Sequence, residues 1–193
     1  LKQLSEDLKM DNENLLKIVK KVPQWNADRD RKLSALYELI NRKHKNDKVL
    51  IFTQYSDTAN YLYLQLKEKG IKHIEKATGE TKNISQIAKR FSPISNDYNG
   101  SAEDEIRVLI TTDVLSEGQN LQDAHIIVNF DLPWALIRLI QRAGRVDRLG
   151  QSSNKIYCYS FLPEDGIENI IGLRNKLKSR IKQNAEVVGS DEV

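Results

Sequence analysis

Apolar and polar positions change period several times along the chain, and each change marks an element. Over the first 24 residues, Leu4, Leu8, Leu15, Leu16, Val19 and Val22 stand at loosely helical spacing in a charged background, until Pro23 and Trp25 interrupt them. Asp28 or Asp30 is placed to cap a following helix whose apolar face is Leu33, Leu36, Tyr37 and Ile40, spaced i, i+3, i+4, i+7. Charged residues from Arg42 to Lys48 then give way to Val49-Leu50-Ile51-Phe52, a short apolar run that reads as a strand buried on both faces. Ser56 is expected to cap the next helix, and Gly70 to end it in a left-handed conformation.

The alternation continues downstream. Strands are expected near 72–76, 107–111, 125–130 and 155–160, and helices over Ile84–Phe91 and Leu136–Val146. A final amphipathic helix carries Ile167, Ile170, Ile171, Leu173, Leu177 and Ile181. Pro93–Glu105 reads as a polar, acidic loop, solvent-facing and mobile. Strands alternating with helices imply an α/β fold, a doubly wound parallel sheet joined by right-handed crossovers.

Composition narrows the class. Thirty Lys and Arg stand against 27 Asp and Glu, a net charge of +3 that is too ordinary to prove a polyanionic partner. The longest apolar runs fall far short of a bilayer, and no leader-like segment opens the chain. Cys158 is the one cysteine, which excludes an internal disulfide and a cysteine-built zinc site; on its strand it is expected to be a small core residue. His44, His73 and His125 are far apart in sequence, and no metal site is expected from them. Trp25 and Trp134 are read as packing residues, and Lys176, Lys178, Arg180 and Lys182 as a solvated helix face. The sequence opens on Leu1 and reads as a piece of something larger; an intracellular protein is the expectation.

Doubly wound sheets bind ligands beyond the carboxyl ends of their strands. The exits here are Thr53-Gln54-Tyr55, Thr78-Gly79-Glu80-Thr81, Thr111-Thr112-Asp113 and Asp131-Leu132-Pro133-Trp134. Their hydroxyl, amide and backbone N–H groups suit phosphate contacts, although helix capping explains each one taken singly. The segment from Gln141 to Gln151 is stronger. Arg142, Arg145 and Arg148 recur every third residue, so they are expected to line one side of a helix, where Asp147 answers only one of them. Gly144 interrupts that helix and permits close approach of a backbone or ligand. Arginine is suited to phosphate and to charge developing during phosphoryl transfer. No glycine is followed by Lys, and no strand ends in paired acids suited to magnesium, so the chain holds half of a nucleotide site.

These residues resemble a known superfamily. Val49–Tyr55 is similar to motif IV of superfamily-two helicases and translocases, Ile110–Leu121 to motif V, and Gln141–Gln151 to motif VI; the likeness covers roughly residues 29 to 187. Glu117–Leu121 and Asp147–Gln151 resemble the Swi/Snf type most, in the bacterial branch that includes the RNA-polymerase-recycling ATPase. The resemblance implies a RecA-like fold without its own phosphate loop, the second lobe of a two-lobe ATP-dependent motor. Residues 1–28 would be an N-terminal helical arm or inter-lobe linker, 29–164 the RecA-like domain, and 165–193 a C-terminal helix and tail.

By resemblance, Arg145 and Arg148 are arginine fingers facing ATP across the cleft, and Gly118, Asn120 and Gln141 lie close to the nucleotide. Asn120 stands where DEAD-box proteins usually carry Asp, and Glu117 where they carry Arg. Thr53, Gln54, Thr78, Gly79 and Thr112 match positions that approach a nucleic-acid backbone. The implied cofactor is ATP with magnesium held by the first lobe. The implied partners are that lobe, double-stranded DNA, and RNA polymerase or another DNA-bound complex, in a bacterial cytoplasm near the nucleoid and away from membranes. The alternative is a non-enzymatic RecA-like docking module, which has no need of both Arg145 and Arg148.

Overall fold

The computed structural model describes residues 2–21, 26–115, 119–133, 137–148 and 150–162. Trp25, Glu117, Gly118, Trp134 and the expected helix and basic residues after 163 lie outside them. The chain divides into two compact units between Arg31 and Lys32. Among its described residues the first contains helix α1 (Lys2–Lys21), whose Leu4, Leu8, Leu15 and Val19 are all exposed. Its last turn carries Lys20 and Lys21, the charge that favours a helix C-terminus. A single 3₁₀ turn, Ala27–Arg29, follows, with the Asn26 side chain accepting from the Asp28 N–H. Asp30 then stands in extended conformation immediately before α2 (Arg31–Glu38), the cap position expected of it.

The larger unit is built on five strands: β1 (Val49–Phe52), β2 (Ile74–Ala77), β3 (Val108–Thr111), β4 (Ile126–Asn129) and β5 (Tyr157–Ser160). Their order is β2-β3-β1-β4-β5, and every neighbouring pair is parallel. The continuous apolar runs give the reason. All four residues of β1 are fully buried, as are all four of β3 and of β4, so side chains on both faces of the central strands leave water. One face holds Leu50, Phe52, Leu109 and Ile127 in a core shared with Phe91, Leu115 and Val146.

The helices follow the amphipathic pattern. In α2 the buried residues are Leu33 and Leu36, and Ile40 continues that face through a π-type turn, Leu39–Lys43, closed by the His44 N–H on the Leu39 carbonyl. Helix α3 (Ser56–Glu68) buries Ala59, Leu62 and Leu66 and packs on β2 and β3. Its cap differs from expectation: Tyr55 occupies the N-cap position with no side-chain bond, and Ser56 is already helical. Gly70 behaves as expected, at φ +87°. The Gly70 N–H bonds the Lys67 carbonyl and the Ile71 N–H bonds Leu66, the paired bonds that close a helix at a left-handed residue. Helix α4 (Ile84–Phe91) is capped by Asn83, and α5 (Ile137–Ala143) precedes the arginine segment.

Two expectations are corrected. The Pro93–Glu105 loop is tied down rather than mobile. Asp123 accepts from the Ile94 and Ser95 N–H groups at 2.8 and 2.9 Å, Arg90 Nε reaches the Asp104 carbonyl at 2.8 Å, and Lys48 pairs with Glu105. Cys158 lies on β5 but is exposed, on the strand that ends the sheet order among the described residues. His44 and His125, far apart in sequence, both approach Asp47. His44 Nδ1 is 2.8 Å from Asp47 and its Nε2 3.0 Å from the Tyr159 hydroxyl, while His125 Nε2 is 3.8 Å from Asp47. No helix among the described residues is long and apolar enough to cross a membrane.

Candidate functional site

Parallel pairing sends every strand exit to the same rim of the sheet, and the residues singled out above collect there. At the β1 exit, Thr53 is fully buried and its hydroxyl donates to Asp131, which leaves β4 next door. Gln54 spans the same gap, its Nε2 donating to the Leu132 carbonyl at 2.7 Å. Lys32 completes the junction, with Nζ 2.7 Å from the Phe130 carbonyl, 3.5 Å from Asp131 and 4.1 Å from the centre of the Phe130 ring. Thr53 and Gln54 therefore bind β1 to β4.

The β2 and β3 exits are joined in the same way. The Thr112 N–H donates to the Ala77 carbonyl at 3.2 Å, and the Thr111 hydroxyl donates to that carbonyl at 3.0 Å. Thr78 is buried and its N–H is held by the Thr81 hydroxyl at 2.9 Å. Gly79 beside it is exposed, and a Cβ built there would meet no atom within 4 Å. Thr112 is half-buried. Of the five residues matched to a nucleic-acid track, Gln54, Gly79 and Thr112 have surface to offer; Thr53 and Thr78 do not.

The arginines do not form the expected stripe. Helix α5 stops at Ala143, and Gly144 onward is a turn, so spacing by three no longer maps to one side. A Cβ on Gly144 would lie 3.3 Å from the Ile140 carbonyl oxygen, to which the Gly144 N–H donates at 2.8 Å. Arg142 points inward and is fully buried. Its Nε is 2.8 Å and its Nη2 2.7 Å from Asp113 Oδ1, its Nη1 is 3.0 Å from Asn129 Oδ1, and its guanidinium lies 4.9 Å from the centre of the Phe52 ring. Asp113, not Asp147, answers its charge. Arg138 reaches the other oxygen of Asp113 at 3.0 Å.

Beyond Gly144 the turn carries Arg145, half-buried, and Arg148, exposed. Arg148 Nη1 donates to Asn120 Oδ1 at 3.0 Å and its Nε to the Gly144 carbonyl at 3.2 Å. Asn120 is itself fixed, donating to the Ser95 carbonyl at 3.3 Å and accepting from Asn96 on its own carbonyl at 2.9 Å. Val146 is buried in the core, and Gln151 Nε2 clasps the Ala124 and Val146 carbonyls at 2.9 and 3.0 Å. The structure thus brings Asn120 to Arg148, while Gln141 is exposed on α5 and Gly118 lies outside the described residues.

Sequence reasoning passed over Asp113, Asn129, Asp131 and Gln151. The acids and Gln151 lay within the segments it singled out, but a partner across the sheet rim leaves no local signal. Among the described residues no group of three or more His, Cys, Asp or Glu is placed to hold a metal ion. Asp113 and Asp131 are each engaged by cationic side chains, so the donor set at this rim suits an anion. At the opposite rim, burial lowers the Arg107 pKa against the attraction of Asp47, and Arg107 Nη1 donates to the His44 carbonyl at 3.2 Å.

Residues 31–150 match the helicase conserved C-terminal domain family. The chain is 35% identical over 129 residues to the uncharacterized ATP-dependent helicase YqhH of Bacillus subtilis, covering 67% of this chain and 21% of that protein. It is 34% identical over 132 residues to the RNA polymerase-associated protein RapA of Yersinia enterocolitica, covering 66% of this chain and 12% of RapA. The chain therefore spans at most 21% of the length of these two relatives. Among solved structures, the C-terminal part of the Fun30 ATPase domain has the same fold, with a TM-score of 0.62 at 22% identity over 89% of this chain and 53% of that one. S. cerevisiae Dbp5 bound to RNA and ADP BeF3 gives a TM-score of 0.55 at 28% identity, covering 76% of this chain and 36% of Dbp5.

Proposed function

The chain belongs to the helicase conserved C-terminal domain family, as the second, RecA-like lobe of a Swi/Snf-type superfamily-two helicase, and from that premise we propose that it completes the ATP site of a longer motor. In this reading residues 29–164 are the lobe proper, 1–28 an arm or linker, and 165–193 a C-terminal helix and tail. The observation that carries it is the Arg148–Asn120 bond, on a turn anchored through Arg142 at one end and Gln151 at the other. A guanidinium is costly to order, and here one is ordered at an exposed rim by backbone and amide acceptors that are themselves uncharged.

ATP supplies a γ-phosphoryl group whose transfer spreads negative charge over its oxygens, and positioned cations lower that barrier. Arg145 and Arg148 would present their planar donors to that charge, with Asn120 holding Arg148 in place and Gln141 reaching the nucleotide from α5. Magnesium would be held by the first lobe, since the carboxylates of this rim are taken up by Arg138, Arg142 and Lys32. Gly79 and Thr112 would touch the nucleic-acid backbone, with Thr53, Gln54 and Thr78 shaping the rim beneath them. Duplex DNA is the proposed track. RapA's association with RNA polymerase supports a transcription complex as partner.

The test is Arg145→Ala and Arg148→Ala in the full-length protein. Turnover should fall by roughly 10³-fold or more in each, while ATP binding and nucleotide-free DNA affinity stay close to those of the unsubstituted protein. Near-normal stimulated turnover in both variants would instead support a docking module.

A further inference from the structure

We propose that the exposed apolar face of α1 is a self-association surface, on which α1 of a second copy of this chain lies antiparallel as a two-stranded coiled coil. The inference is independent of the motor reading.

The spacing of residues along α1 supplies the seam. Leu4, Leu8, Asp11, Leu15 and Ile18 follow one another at intervals of four, three, four and three. That is the interval of helices that pack side by side over several turns. The helix runs unbroken from Lys2 to Lys21, so these positions share one side of it. Leu4, Leu8, Leu15 and Ile18 are each 58–61% exposed. Their burial against a second helix is favourable, and it supports a helix of a length that is marginal alone in water.

The charges along α1 select the occupant and its direction. Residues 6–13 carry four acids, Glu6, Asp7, Asp11 and Glu13, with Lys9 between them; residues 17–21 carry three lysines and no acid. A helix charged in this way complements a copy of itself only when the copy is reversed. Setting Leu8 against Ile18 of the second copy places Asp7 beside Lys21 of the second copy, and two-fold symmetry repeats the pair at the other end. In that register Asp11 meets Leu15 of the second copy.

A parallel pair has neither advantage. It would set the acids of residues 6–13 against themselves and stack Asp11 on Asp11 in the seam, where like charges drawn out of water repel. One polar residue in an apolar seam costs stability and fixes register and orientation. Asp11 has that role here.

The experiment measures the mass of the full-length protein, and of the 193-residue chain, by sedimentation over a concentration series. We expect both to form dimers that dissociate on dilution. Leu8→Asp and Leu15→Asp should each raise the dissociation constant by about 100-fold or more, since one buried leucine is lost from each copy. Asp7→Lys should raise it about tenfold, and adding Lys21→Asp should restore it.

Orientation is read from spin labels attached through Gln3→Cys or Glu13→Cys in a Cys158→Ser background. Antiparallel pairing separates the two labels at position 3 by about 30 Å along the axis and sets those at position 13 level with each other. Equal separations at the two positions would mean a parallel pair and would overturn the proposal. A full-length protein that stays monomeric at every concentration would overturn it as well. In that case dimers of the 193-residue chain alone would mean that another part of the longer protein covers α1. Dimers that survive both leucine substitutions would place the contact elsewhere and equally remove it.

Discussion

Gly70 and Gly150 share a left-handed backbone, at φ +87° and +96°, but not a neighbourhood. A Cβ at Gly70 would meet nothing within 4 Å, whereas one at Gly150 would lie 3.2 Å from Gln122 Nε2, the far end of a side chain that can move aside. Backbone strain should therefore dominate at both. Gly70→Ala and Gly150→Ala are each expected to cost about 1 kcal/mol in urea denaturation, with Gly70→Asn recovering part of it because Asn tolerates the left-handed region. A glycine after an apolar helix carries that meaning in the sequence alone. The arginines did not. Their spacing by three had a direction only if the helix continued past Gly144, and it ends at Ala143. The inward turn of Arg142 then depended on Asp113 and Asn129, partners nothing local could name.

Between elements the contrast lies between the middle and the edge of the sheet. Leu50 is fully buried in β1, and Leu50→Ala should cost about 3 kcal/mol in chemical denaturation. Tyr157 on β5 is 44% exposed, and Tyr157→Ala should cost under about 1 kcal/mol in the same assay. Gln151→Ala would leave two carbonyls without their shared donor, a loss of roughly 1 kcal/mol, and should slow turnover in the full-length protein more than it lowers the unfolding midpoint. The central strands were legible because continuous burial on two faces writes continuous apolar runs. The 3₁₀ turns at Ile94–Asn96 and Ala102–Asp104 were not, since the first is held from outside by Asp123 and the second by Arg90. At the site, Arg148 and Asn120 were both legible by resemblance, but the bond between them is a product of the fold.

At the scale of the molecule, the arginines proposed to face a nucleotide have no glycine-lysine loop in this sequence to cradle its phosphates, because no glycine is followed by Lys. The purified 193-residue chain should hydrolyse no ATP above background, with or without nucleic acid. Steady-state release of phosphate that disappears on Arg145→Ala would contradict this. The strand order has a consequence of another kind. Strand β1 sits at the centre of the sheet, yet its neighbours are β3 and β4, so Val49 pairs with Val108 and Ile126. During synthesis β1 leaves the ribosome before the other four described strands of this sheet. At about 5–20 residues per second, the interval before β3, the first of its two partners, follows is roughly 3 to 12 s. For those seconds the wholly apolar β1 lacks both of its neighbours and is open to chaperones, and a pause in translation between Phe52 and Val108 would lengthen that exposure.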